Sequence, residues 1–85
     1  MKLKEKSILV IFGSGGHTTE MLLMLQNTNI FEKYGHVHFV FGHSDSWSLQ
    51  KVQTHYKSSM GIDIHQEVKK GNLTLHKLFR AREVK

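Results

Sequence analysis

One stretch constrains this chain more than any other: Ser7 to Glu20, SILVIFGSGGHTTE. An apolar run, Ile8 to Phe12, stops at Gly13. Ser14, Gly15, Gly16 and His17 follow, and Thr18-Thr19-Glu20 opens a new apolar segment. That order predicts a buried strand over Ser7 to Phe12, a glycine-rich turn and a helix start. In an open parallel sheet such a junction lies at the carboxyl end of a strand, where ligands bind.

The chain has 85 residues, enough for one small domain spanning 1–85 with a limited core. It contains no cysteine, so neither a disulfide nor a thiolate metal site is available to stabilise it. The formal net charge of +5 points to anionic partners such as phosphate groups or an anionic surface. No stretch approaches the roughly 20 apolar residues that span a bilayer. The charged start, Met1 to Lys6, does not resemble a signal peptide.

The first strand is apolar on both faces, which predicts burial on both sides of a sheet. Thr18 or Thr19 is the expected helix cap, with Glu20 in the positive first turn. Met21, Leu22, Met24 and Leu25 form the predicted apolar stripe, and Asn27-Thr28-Asn29 ends the helix. Val37 to Gly42 reads as a second strand. Ser44, Asp45 and Ser46 offer an N-cap to a helix over Ser46 to Ser58, broken at Gly61. Trp47, Leu49, Val52 and Tyr56 recur there at helical spacing, as a core stripe does. Ile62 and Ile64 suggest a short extended piece. Lys69 to Asn72 is a turn, and Leu73 to Phe79 a third strand. The result is an α/β chain: a partial, Rossmann-like β-α-β-α-β unit with its first strand expected in the sheet centre.

Gly13 to His17 is the principal candidate site. Consecutive amides ahead of a helix N-terminus suit a diphosphate, although a ligand-free tight turn explains the same residues as well. A dinucleotide fingerprint needs a third glycine where Thr18 stands, which counts against a stand-alone nucleotide-binding oxidoreductase. An ATPase-type phosphate loop needs a lysine that is absent. His17, at the mouth of the helix, could bind a phosphate or act as a base on a sugar hydroxyl. Glu20 one turn on reads more simply as a dipole-compensating acid. Arg80 and Arg82 follow the third strand at the same sheet edge and could grip a diphosphate, or form a solvated basic tail. His36 and His38 share a strand face, with His43 beyond. They lack the cysteine or acid partners of a metal site, so no metal is expected. Asp45 reads as an N-cap rather than a ribose ligand. Asn72-Leu73-Thr74 is a sequon without an export signal.

The run Ile8-Leu9-Val10 through Gly13-Ser14-Gly15-Gly16-His17-Thr18-Thr19-Glu20-Met21-Leu22 resembles the N-terminal loop of the eukaryotic Alg14 family. Arg80-Ala81-Arg82-Glu83-Val84 looks like that family's Arg-Ser-Arg-Glu-Val segment. The resemblance implies the acceptor-side half of a GT-B glycosyltransferase split over two chains. The complex transfers GlcNAc from UDP-GlcNAc to dolichol-diphosphate-GlcNAc at the cytosolic face of the endoplasmic reticulum membrane. It implies a heterodimer with a catalytic subunit, no cofactor beyond the donor substrate and no nucleic acid. Gly15, Gly16 and His17 would line the cleft near the diphosphates, Thr18 and Glu20 would flank it, and Arg80 and Arg82 could approach the lipid diphosphate. Members of that family carry an apolar anchor before the first strand and continue for roughly another hundred residues, a domain-scale extension. The chain is therefore expected to be an N-terminal fragment, inactive alone. A non-catalytic scaffold that recruits the catalytic subunit is the alternative.

Overall fold

The computed structural model describes residues 3–12, 16–42 and 46–78. Three parallel strands alternate with helices: β1 (Leu3–Ile11), α1 (Gly16–Leu25), α2 (Ile30–Lys33), β2 (Tyr34–Gly42), α3 (Ser46–Met60), α4 (Ile64–Lys69) and β3 (Leu73–Leu78). The partial Rossmann-like α/β unit is present, and β1 starts earlier than the apolar run, inside the charged lead-in. Its pairing with β2 is irregular between Leu3 and Ser7. From Ser7 the register is regular: Val10 faces Phe39, and Phe39 in turn faces Leu75.

The strand order is β1-β2-β3, so β2 and not β1 is central. Both crossovers step the same way across the sheet. A first strand lies in the middle of a doubly wound sheet only when further strands join its other edge. Same-direction, right-handed crossovers also put all the helices on one face. That face carries Ile8, Val10 and Phe12, Val37, Phe39 and Phe41, and Leu73 and Leu75, packed beneath Leu22, Ile30, Phe31, Val52, Tyr56 and Ile64. The opposite face is open. Leu9 and Ile11 are 59% and 54% exposed, so β1 is buried on one face only.

The core is built on rings. Phe12 stacks on Phe41 at 5.2 Å between centroids and meets Phe39 edge-on at 5.1 Å. Phe31 sits edge-on to Tyr56 at 5.3 Å. Such pairs contribute about 0.5–1.5 kcal/mol each beyond the area they bury. Tyr56 is fully buried, but Trp47, expected beside it, is 53% exposed. Met24 also falls outside the stripe, at 75% exposed, whereas Leu22 is buried.

Helix ends follow local chemistry. The Asn29 side chain accepts from the amides of Phe31 and Glu32 at 3.1 and 3.3 Å and starts α2. The Asp63 carboxylate accepts from His65 N–H at 3.0 Å, so Ile64 opens a helix instead of an extended segment. Gly61 takes φ +66°, and the N–H groups of Gly61 and Ile62 return to the carbonyls of Lys57 and Tyr56 at the end of α3. Gly71 at φ +84° turns the chain into β3. Helix α1 begins at Gly16, ahead of both threonines, so neither Thr18 nor Thr19 caps it and Glu20 lies beyond its first turn. The expected Ser44–Asp45 cap and His43 lie outside the described residues.

Candidate functional site

Parallel strands place their carboxyl ends on one edge, and α1 and α3 both start there. The strand end is fixed by Phe12 N–H donating to Val40 carbonyl at 2.9 Å. Four residues separate Ile11 from Gly16, and three separate Gly42 from Ser46. Such short connections hold each helix start close to its strand.

Among the described residues, a side-chain hydrogen bond joins the two helix starts. Thr18 Oγ1 and Ser48 Oγ lie 2.7 Å apart, and both residues are fully buried. Thr18 is one turn before Leu22 on the buried face of α1, and Ser48 one turn before Val52 on that of α3. The hydroxyl pair therefore aligns the first turns of two helices, whose amide ends carry partial positive charge. Sequence reasoning missed Ser48. The available signal was a serine in register with Val52 and Tyr56 on an otherwise apolar stripe.

Of the residues singled out from the sequence, Gly16 and His17 form the first turn of α1. Thr18 is buried against Ser48, and Glu20 is exposed. Gly13, Ser14 and Gly15 lie outside the described residues, as do Arg80 and Arg82. The edge where β3 ends is the same edge at which α1 starts.

The open sheet face carries a histidine row. His36 Nε2 is bonded to Thr74 Oγ1 at 2.7 Å, and His38 Nδ1 to His76 Nε2 at 2.9 Å. These imidazoles link β2 to β3 on a face that stays solvent-accessible. Partial desolvation, followed by the positive charges possible on His36 and His76, holds His38 below the usual imidazole pKa. Among the described residues, no three His, Cys, Asp or Glu side chains converge to hold a metal ion.

On the helical side, burial lowers the His55 pKa and pushes the Tyr56 phenol up to about 12. The His55 Nε2 and Tyr56 hydroxyl are buried without a hydrogen-bond partner.

The family model described as "Oligosaccharide biosynthesis protein Alg14 like" matches residues 8–85. The chain belongs to the Alg14 family. Its match runs from the β1 apolar segment through the glycine turn, both crossovers and the basic end. The human protein named "UDP-N-acetylglucosamine transferase subunit ALG14" is 35% identical over 78 residues, which is 92% of this chain and 34% of the human one. The chain thus spans about a third of the length of that Alg14 relative. No solved structure matches. The three-stranded sheet, with its helices interleaved, is the structural frame of this Alg14 segment.

Proposed function

We propose that the chain is the acceptor-side part of a UDP-GlcNAc transferase, working with a separate catalytic subunit in oligosaccharide precursor synthesis. The supporting observation is the family match over residues 8–85, which includes the whole strand–glycine turn–helix junction. The human relative is a UDP-N-acetylglucosamine transferase subunit by name. In this reading the two chains build a GT-B cleft at the cytosolic face of the endoplasmic reticulum membrane, and the acceptor is dolichol-diphosphate-GlcNAc.

The chemistry follows from the junction. An acceptor sugar hydroxyl attacks the anomeric carbon of UDP-GlcNAc. The new glycosidic C–O bond forms as the bond to UDP breaks, and UDP leaves with the electron pair. Amides at the start of α1, with those of Gly13, Ser14 and Gly15 just before it in sequence, hold diphosphate charge in place. Arg80 and Arg82 add charge-assisted hydrogen bonds from the end of β3. His17 positions the acceptor or takes the hydroxyl proton. The Thr18–Ser48 bond keeps the α1 and α3 starts aligned, so the amides need little rearrangement when substrate binds.

The test is GlcNAc transfer to dolichol-diphosphate-GlcNAc by the two-chain complex, comparing native and His17→Ala forms. A loss of about 10²-fold or more in kcat fits a group acting on the proton. Undiminished transfer removes His17 from the mechanism. Unaltered transfer with Gly16→Val as well, with the partner still co-purifying, leaves the recruiting scaffold.

A further inference from the structure

The open sheet face holds two imidazoles at the spacing of metal ligands. His38 Nδ1 on β2 and His76 Nε2 on β3 lie 2.9 Å apart. Two nitrogens bound to one zinc-type ion at about 2.0–2.1 Å, at angles from square to tetrahedral, lie roughly 2.8–3.4 Å from each other. The pair therefore has the separation of adjacent ligands before any ion arrives. The sheet sets this placement. His38 is in register with Thr74, and Val40 with His76, so the two histidines are diagonal neighbours across the β2–β3 seam.

His36 stands to one side of the pair. Its Nε2 is bonded to Thr74 Oγ1 at 2.7 Å, and its ring centroid is 4.6 Å from that of His38. It props His38 instead of completing a ligand set: among the described residues no third His, Cys, Asp or Glu converges here. Solvent reaches the pair, because His76 is exposed and His38 half-buried. Water can fill the remaining coordination positions, and the ion has a way in. Leu9, in register with His38, and Val40, in register with His76, carry no charge. Imidazole ligands without carboxylate oxygens suit zinc and copper, not the hard cations magnesium and calcium.

The proton count balances. In the bonded pair, one of the facing nitrogens carries an N–H and the other accepts it. An ion takes the place of that bridging proton, and the ring that carried it holds its N–H on the other nitrogen. Both rings stay neutral and no proton is released.

A small chain gains from such a staple. With 85 residues and no cysteine, the sheet has no disulfide to hold it. Small domains supplement a limited core with a structural metal when disulfides are absent.

We propose that His38 and His76 form a two-imidazole site for a zinc- or copper-class dication, completed by water, that clamps β2 to β3. The sequence pattern alone points away from a metal, because it supplies no cysteine or acid partner; β3 supplies a second imidazole instead.

The test is calorimetric titration of the full chain with Zn2+, joined to pulsed EPR of the Cu2+ form to count bound imidazoles. The expected result is a single equivalent of Zn2+, retained in excess Mg2+, with Tm raised because the ion binds the folded pair. The Cu2+ spectrum should show two coordinated imidazoles. His38→Asn and His76→Asn should each weaken Zn2+ binding by at least the roughly tenfold that loss of an outer-shell partner costs. His65→Asn, at an exposed position on α4, should leave it unchanged. Circular dichroism checks that each variant folds.

Undetectable Zn2+ binding overturns the proposal, as does binding that survives the double variant His38→Asn/His76→Asn. A Cu2+ spectrum with a single imidazole or none also overturns it, and decides the matter on the native chain even where a variant fails to fold.

Discussion

Replacing Ser48 by alanine tests the joint between the two helix starts. The substitution removes one oxygen and opens almost no cavity, so packing loss contributes little. It breaks the 2.7 Å hydrogen bond between two fully buried hydroxyls. Losing one such hydrogen bond costs about 0.5–1.5 kcal/mol. In a domain of this size, each kcal/mol lowers Tm by roughly 4–8 °C. Ser48→Ala should therefore lower Tm by about 2–12 °C, and Thr18→Val, which keeps the shape, by a similar amount. The double variant removes both polar groups and should be nearer to native than the sum of the two singles, with a coupling of about 1 kcal/mol or more. Thermal and urea unfolding followed by circular dichroism measures all four corners of the cycle. Strictly additive effects, within about 0.3 kcal/mol, would refute the claim that this bond joins α1 to α3.

Three further outcomes follow from the same structure. Tyr56→Phe removes a buried hydroxyl without a hydrogen-bond partner, so urea denaturation should show stability unchanged or raised by up to about 1 kcal/mol; a loss above that would reveal a partner for the hydroxyl. His38 and His55 both bind protons less readily when folded than at the ordinary value of 6.5, so the unfolded chain protonates first; stability should be complete above that value and fall as pH drops through it, and the double variant His38→Asn/His55→Gln should flatten the decline. Val10→Ala should cost about 2 kcal/mol or more in denaturant titrations, because Val10 lies in the core, whereas Leu9→Thr on the open face should stay within about 0.5 kcal/mol.

The sequence carried the element order because local signals agree with the fold. The apolar run before Gly13, the glycine at Gly61 and the turn at Gly71 each mark an element edge by backbone chemistry alone. Pairing was less legible. An apolar β1 says that both faces favour burial, but not which strands join it, and within this chain its Leu9 and Ile11 face remains open. Helical spacing placed Trp47 with Tyr56, yet the stripe that packs runs through Ser48, Val52 and Tyr56. A hydrophobicity pattern discounts a serine, so it does not show how α3 is rotated. Ile62 and Ile64 alternate as in an extended piece, whereas the carboxylate of Asp63 between them caps α4. At the site, the glycine turn and His17 stood out from composition. The Thr18–Ser48 bond spans 30 residues of sequence and had no local signature.

A ligand-bound structure of the complete two-chain enzyme, with UDP-GlcNAc or the lipid diphosphate in place, reaches the main claim most directly. The account predicts phosphate oxygens about 3 Å from backbone nitrogens of Gly15, Gly16 or His17. A diphosphate seated elsewhere, with the turn after β1 away from every phosphate oxygen, would contradict it.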